Sequence, residues 1–211
     1  SSASRVNYIG KVMAGQKVTG TLVSHTHWDR AWYAPFEVFR VRLVRLIDRL
    51  IELLDRDPAY RSFMLDGQVL PIEDYLAIRP ERRGDLERLV RCGRLVIGPW
   101  YALADEYLVS PEALIRNLSI GTRTAEALGG CMREGYVPDS FGHIAQLPQI
   151  LQGFGIGSAV FWRGVGDEGE RLHNEFWWQA PDGTPVLAIH LPDGYHNASN
   201  LGYPMRWCSV R

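Results

Sequence analysis

The hydrophobic positions of the chain switch between two periods. Apolar residues recur every three or four positions over residues 36–55, with charged residues between them, and this spacing predicts an amphipathic helix. Short apolar or β-branched runs followed by polar or turn-forming residues predict strands. These runs lie at residues 18–23, 63–65, 95–97, 135–137 and 159–162. Further helices are predicted at residues 72–78, 81–90, 111–128 and 147–153.

Near the end of the chain the pattern predicts a hairpin. Apolar runs at residues 176–178 and 186–191 flank a Pro-Asp-Gly turn at residues 181–183. Elsewhere strands and helices alternate, which predicts an α/β fold with a mainly parallel sheet. A closed (β/α) barrel takes about 250 residues, so the 211 residues predict an incomplete one. We expect a flexible N-terminal extension over residues 1–17 and one domain over residues 18–211.

The composition is ordinary for a soluble globular protein. Apolar residues make up 46% of the chain, charged residues 22%, and the net charge is −1. This balance does not favour a nucleic-acid or membrane-surface partner, and no apolar run approaches the length of a membrane span. Cys92, Cys131 and Cys208 form no C-x-x-C pair, which favours reduced thiols and a cytoplasmic location.

The first chemical motif follows the first predicted strand. His25, His27 and Asp29 alternate with other residues, so on an extended segment their side chains share one face. In parallel α/β barrels the carboxyl end of the strands is where active sites form. Imidazole nitrogen and carboxylate oxygen together suit zinc or a similar divalent cation. The alternative is a histidine pair that only caps the next helix.

A second carboxylate follows the fourth predicted strand. Asp139 has the same position relative to its strand as His27 and Asp29, so the three side chains are expected to converge. A retaining glycosidase needs a carboxylate against the anomeric carbon, and a metal ion there can hold sugar hydroxyls and stabilise charge. Asp139 is the candidate for this catalytic position. Its alternative role is the N-cap of the next helix.

Three further residues stand near the strand ends. Arg163 has a planar set of donors that suits a carboxylate or a sugar oxygen, although a structural salt bridge would use the same donors. Trp32 can form a hydrophobic floor for a sugar ring or pack in the core. Asp66 can accept a hydrogen bond from a substrate or shape its turn. We therefore predict Trp32, Arg163 and Asp66 as substrate-binding residues.

Five motifs occur in a fixed order and together resemble a known family. They are HTHWDRAW at residues 25–32, LDGQ at 65–68, GPWY at 98–101, PDSFGH at 138–143 and FWRG at 161–164. The set resembles the N-terminal catalytic region of glycoside hydrolase family 38, the α-mannosidases. It is most similar to the bacterial mannosylglycerate-hydrolase-like branch, and the resemblance covers residues 21–202.

The resemblance implies a retaining α-mannosidase that acts on terminal α-mannosidic bonds. It implies His27, Asp29 and Asp139 as ligands of zinc or another divalent cation, with Asp139 also the nucleophile. Arg163 matches an arginine near the nucleophile, and Trp32 matches the tryptophan beneath the sugar. The implied fold is an incomplete seven-stranded parallel (β/α) barrel. The expected partner is an α-mannoside, and full-length relatives are expected to be homo-oligomers.

Two departures from the family pattern qualify these expectations. Ala31 stands where the bacterial pattern has Glu. The family's acid/base Asp and last zinc-ligand His would fall beyond Arg211, so the chain resembles a truncated product that is weakly active or inactive by itself. Two other functions stay open at this point. One is a metal-dependent carbohydrate deacetylase, and the other is a non-catalytic remnant that binds sugar or metal.

Overall fold

The computed structural model describes residues 21–167, 171 and 174–197. One compact unit, Val23–Asn197, contains all the helices and strands of the described residues. The strands are β1 (His25–Thr26), β2 (Phe63–Leu65), β3 (Leu95–Val96), β4 (Gly135–Tyr136), β5 (Ser158–Phe161), β6 (Glu175–Gln179) and β7 (Pro185–His190). The helices are α1 (Phe36–Arg56), α2 (Leu70–Leu76), α3 (Arg83–Arg91), α4 (Pro111–Ala127) and α5 (Leu147–Gly153), with short 3-10 turns at Pro80–Arg82 and Glu106–Leu108.

The strands form two sheets, and all strand pairs but one are parallel. The first sheet has the order β1-β2-β3 and the second has the order β4-β5-β7-β6. Helices follow β1, β2, β3 and β4, as the alternating pattern predicts. The strand β6 is antiparallel to β7 because a tight turn joins them, and a tight turn reverses chain direction. The α/β class and the hairpin are therefore confirmed.

Each sheet has its own hydrophobic core, formed where helices cover the strands. In the first core, α1 turns one face inward, and its Leu43, Ile47 and Ile51 are almost fully buried with Leu65 of β2. In the second core, Leu118 of α4 and Leu151 of α5 pack with Phe161 of β5 and Ala188 of β7. Burying each of these Leu, Ile and Phe side chains contributes about 1.5–3 kcal/mol. These two cores hold the strand ends that carry the candidate site.

One prediction about the strands needs correction. Residues 18–20 of the first predicted strand lie outside the described residues, and residues 21–24 form no strand. The strand is instead His25–Thr26, because those residues pair with β2. The incomplete seven-stranded parallel barrel that the family resemblance implies stays a prediction. Among the described residues, the seven strands are divided between two sheets and β6 runs antiparallel.

Two further expectations can be compared with the structure only in part. The expected flexible extension, residues 1–17, lies outside the described residues. No helix in residues 21–167, 171 and 174–197 is long and apolar enough to cross a membrane.

Candidate active site

Strand register brings the predicted residues together. In the first sheet Thr26 is level with Leu65, so the residues that follow them, His27 and Asp66, emerge side by side. In the second sheet Tyr136 is level with Val160. Asp139 and Arg163 each follow three residues later, and they also meet. Residues at the carboxyl ends of parallel strands share one edge of the sheet, and this rule explains both pairs.

His27 lies at the centre of the site. Its Nε2 is 3.6 Å from Asp29 Oδ1 and 3.5 Å from Asp139 Oδ2. Its Nδ1 is 3.1 Å from Asp66 Oδ1. Because a carboxylate only accepts, Nδ1 carries the proton that it donates to Asp66. In the neutral ring Nε2 then has a lone pair, and this buried atom has no hydrogen-bond partner.

Asp66 is the residue that fixes the His27 ring. Its carboxylate is fully buried and also accepts hydrogen bonds from the Trp28 backbone N–H at 2.7 Å and from Gln68 Nε2 at 2.8 Å. The backbone at Asp66 has φ = 50°, a left-handed conformation in which Asp and Asn are enriched. The carboxylate therefore lies behind His27 and not on the open side, where we had predicted it to bind substrate.

Asp139 is held by an arginine from the neighbouring strand end. Arg163 Nη2 lies 2.6 Å from Asp139 Oδ1, so the two side chains form an ion pair. The angles of this contact are not those of a hydrogen bond. The guanidinium also lies over two rings, with its carbon 4.5 Å from the Phe141 centroid and 4.2 Å from the Trp162 centroid. These contacts fix the orientation of the Arg163 guanidinium, and they leave Asp139 Oδ2 facing His27.

The electrostatics of the site favour a positive charge between these groups. Burial alone would lower the pKa of His27, but the hydrogen bond to Asp66 and the charges of Asp66, Asp29 and Asp139 outweigh it and raise the pKa. Burial raises the pKa of Asp139, and Arg163 and His27 oppose this rise only in part. Asp29 Oδ1 and Asp139 Oδ2 both lie near His27 Nε2, and a proton or a cation at that nitrogen would be stabilised by the two carboxylates.

The other predicted residues have different surroundings. His25 lies on β1, and its Nε2 is 2.7 Å from the Tyr195 carbonyl oxygen. The Asp29 side chain is 47% exposed. Trp32 is also exposed, at 77%, and so is not a core residue. Its predicted contact with a sugar stays a prediction.

Sequence reasoning missed Tyr195 and the role of one acidic loop. The Tyr195 ring lies 4.9 Å from the His27 ring. Burial raises the pKa of its hydroxyl, and the nearby charges of Asp139 and Asp29 raise it further. In the loop after β3, Glu106 forms a buried pair with His143. The acidic residue at 106 was visible in the sequence, but its partner lies 37 positions away, and no local pattern predicts the pair.

The donor set at His27 fits a divalent cation in part. Donor atoms about 2.0–2.2 Å from a tetrahedral zinc lie about 3.3–3.5 Å apart, close to the two spacings of 3.5 and 3.6 Å at His27 Nε2. Within the described ranges no group of three or more His, Cys, Asp or Glu side chains is arranged so that it could hold a metal ion. The Asp29 side chain is half exposed, and its Oδ1 lies on the Nε2 side of His27.

Comparison with known proteins identifies the family. The family model described as the glycosyl hydrolases family 38 N-terminal domain matches residues 17–206. The chain belongs to glycosyl hydrolase family 38. The resemblance inferred from the five motifs is thereby confirmed.

Relatives of this family 38 chain are bacterial and eukaryotic. It is 44% identical over 196 residues to a "Putative mannosylglycerate hydrolase" of Halalkalibacterium halodurans, a match covering 88% of this chain and 22% of that protein. It is 29% identical over 176 residues to alpha-mannosidase 2C1 of Homo sapiens, covering 81% of this chain and 16% of that protein. The crystal structure of an alpha-mannosidase from Enterococcus faecalis V583 matches with a TM-score of 0.78 and 39% identity, over 83% of this chain and 20% of that chain.

The family 38 chain thus spans about a fifth of the length of these relatives. The motifs at residues 25–32 and 138–143 provide His27, Asp29 and Asp139 of the candidate site. The part of the family 38 domain that this chain represents therefore contains these three residues. The activity, substrate and partners of the whole protein are matters for proposal.

Proposed function

We propose that this chain contributes the metal-binding and nucleophilic residues of a retaining α-mannosidase, with Asp139 as the nucleophile. One observation carries the proposal. The buried, unpartnered His27 Nε2 faces Asp29 and Asp139, and Asp139 is also paired with Arg163. The relatives of this chain are named as α-mannosidases or as a mannosylglycerate hydrolase. These names support an α-mannoside as the substrate.

His27, Asp29 and Asp139 would hold the cation. The Asp66 carboxylate keeps the His27 proton on Nδ1, so the Nε2 lone pair is available as a ligand. Zinc, or another divalent cation, would bind sugar hydroxyls and stabilise charge as the glycosidic bond breaks. The part that the chain itself supplies is a fixed imidazole and two carboxylates.

Asp139 would act on the anomeric carbon. One carboxylate oxygen forms a bond to that carbon while the bond to the leaving oxygen breaks, and the leaving oxygen takes a proton from an acid/base residue. Water then releases the sugar, and the same acid/base residue receives a proton from that water. No described residue is assigned as the acid/base group. Without such a group the rate falls by about 10²–10⁴-fold, so we expect these 211 residues alone to turn over slowly.

Arg163 and Trp32 would complete the sugar site. The Arg163 guanidinium is ion-paired with Asp139 Oδ1 and leaves Oδ2 on the His27 side, which orients the nucleophile. Trp32 is exposed and follows Asp29 by three residues, so its indole is available to pack against a sugar face. Both assignments follow the family motifs and are parts of the proposal.

The two sheets would be neighbouring parts of a larger barrel. Their parallel strands β1, β2, β4 and β5 deliver residues to one site, as barrel strands do. The match to the Enterococcus faecalis structure supports a common fold. We infer that the complete family domain closes this arrangement into a (β/α) barrel.

A covalent trap tests the proposal without needing the acid/base residue. Fluoride leaves without a proton donor, so 5-fluoro-α-mannosyl fluoride should label Asp139 in the presence of zinc. Mass spectrometry of peptides would locate the adduct, which Asp139→Asn should abolish and Asp182→Asn, in an exposed turn, should not. Absence of an adduct in the zinc-loaded chain would contradict the nucleophile assignment. Release of acetate from an N-acetylated sugar would favour a deacetylase, and sugar binding with no adduct would favour a non-catalytic remnant.

A further inference from the structure

A buried acid–histidine pair lies beneath the loop that carries Arg163. Glu106 Oε1 is 2.8 Å from His143 Nδ1, and the two side chains are 1% and 5% exposed. The other His143 nitrogen, Nε2, is 2.8 Å from the carbonyl oxygen of Arg163. Glu106 Oε2 accepts a hydrogen bond of 2.9 Å from the Ile144 backbone N–H. The pair therefore connects the loops that follow β3, β4 and β5.

The partners of His143 fix how many protons the pair holds. Nε2 faces a carbonyl oxygen, which only accepts, so Nε2 carries a hydrogen. Nδ1 faces a carboxyl oxygen, so a second proton lies between His143 and Glu106. The pair is either an imidazolium with a carboxylate or a neutral imidazole with a carboxylic acid. In both states its net charge is zero, and each ring nitrogen is satisfied. Buried polar groups with complete hydrogen bonding are rigid.

The surrounding loops leave little room for another arrangement. Gly164 has φ = 89°, and a Cβ there would lie 2.8 Å from His143 Nε2 and 2.8 Å from the Ser140 carbonyl oxygen. Ser140 Oγ donates to the Ala104 carbonyl oxygen at 3.1 Å. Because of these contacts, the Arg163–Gly164 backbone packs closely against His143. The Arg163–Gly164 backbone is therefore in direct contact with the His143 ring.

We propose that the buried Glu106–His143 pair positions Arg163, and through Arg163 orients Asp139. Glu106 and His143 are positioning residues in this proposal, because neither reaches the His27 centre. Only the last link, to Asp139, rests on the proposed function. The link to Arg163 can be measured in the metal-free chain without substrate, so it can fail or succeed independently of the mannosidase chemistry.

The position of Arg163 has a spectroscopic signature. Its guanidinium lies over the Phe141 and Trp162 rings, so the ring currents should shift its Nε–H resonance. The resonance is assigned to Arg163 by its disappearance in Arg163→Lys. Glu106→Leu and His143→Leu should remove the shift and bring the resonance to that of the exposed Arg116. Glu106→Gln should keep it, because the Gln oxygen can accept from Ile144 N–H while its amide donates to a neutral His143.

A matched control separates positioning from a loss of stability. Leu118→Ala removes a fully buried side chain from the core of the same sheet and should cost about 2–5 kcal/mol. It should lower the melting temperature and leave the Arg163 resonance shifted. The proposal would be overturned if the Arg163 resonance lost its shift in Leu118→Ala. It would also be overturned if the resonance stayed shifted in folded Glu106→Leu or His143→Leu, or lost its shift in Glu106→Gln.

A measurement on the unmodified chain keeps the test decisive if the leucine variants do not fold. Nitrogen NMR of the His143 ring should show a proton on Nε2 with scalar coupling across the hydrogen bond to the Arg163 carbonyl carbon. Observation of this coupling would support the link. An Nε2 without a proton would overturn it, because His143 could then not donate to Arg163.

Discussion

Asp66→Asn is the perturbation that probes the site most selectively. The substitution keeps the shape of the side chain, and Asn tolerates the left-handed backbone found at Asp66. The Asn oxygen can replace Oδ2 and accept from Trp28 N–H and Gln68 Nε2. The amide NH2 group then faces His27 Nδ1, where Asp66 presented an acceptor. A donor at that position forces the His27 proton to Nε2, the atom that would bind the metal.

The size of the effect follows from the contacts that change. Loss of a partner that orients a metal-binding histidine lowers metal affinity by about 10–100-fold, or about 1.4–2.8 kcal/mol. The fold itself should lose about 1–3 kcal/mol, because the three hydrogen bonds that the buried Asp66 carboxylate accepts lose the charge of their acceptor. For a chain of this size each kcal/mol lowers the melting temperature by about 2–4 °C.

Zinc titration by calorimetry, with a competing chelator, measures the affinity change. Asp48→Asn is the matched control, since Asp48 accepts a hydrogen bond of 2.7 Å from Tyr75 and lies on α1 away from the strand ends. We expect the control to bind zinc as the unmodified chain does. If folded Asp66→Asn also bound zinc within about twofold of the unmodified chain, the tautomer argument for His27 would be refuted.

Three other outcomes are expected. Zinc at about a hundred times its Kd should stabilise the chain by about 2.7 kcal/mol; differential scanning calorimetry should show this gain, and His27→Ala should remove it. Gly164→Ala should lower the free energy of unfolding by more than about 1 kcal/mol in urea denaturation, since its Cβ would lie 2.8 Å from the Ser140 carbonyl oxygen at φ = 89°. Burial, and then the hydrogen bond to Asp48, raise the pKa of Tyr75 from 10.0 to about 12. The folded state therefore keeps a proton that the unfolded state loses, so stability should fall by about 2–3 kcal/mol between pH 10 and 12, and Tyr75→Phe should flatten this part of the pH–stability curve.

The main parts of the site could be predicted because strand ends are readable in sequence. His27 and Asp139 each follow a short apolar run, and parallel pairing puts the ends of such runs on one edge. The role of Asp66 could not be predicted in the same way. It depends on a left-handed residue and on a backbone donor, Trp28, 38 positions away. Glu106 and His143 raise the same difficulty, because their pairing depends on how two loops pack.

The limits on the fold prediction have a related cause. Several strands contain only two or three residues, so the partner strand decides where they begin. The strand β1 is His25–Thr26, and residues 21–24 before it form no strand. The hairpin was readable from its turn sequence. The hairpin places an antiparallel strand, β6, at the end of an otherwise parallel sheet. Amphipathic helices were predicted more closely, and α1 ends one residue beyond the predicted limit.

The central claim is that His27, Asp29 and Asp139 bind one divalent cation at the strand ends. Anomalous diffraction from a zinc-loaded crystal tests it most directly. We expect a single zinc peak about 2.0–2.2 Å from His27 Nε2 and from a carboxylate oxygen of each aspartate. A zinc ion bound elsewhere in the zinc-loaded crystal, or no peak between His27 and Asp139, would contradict it.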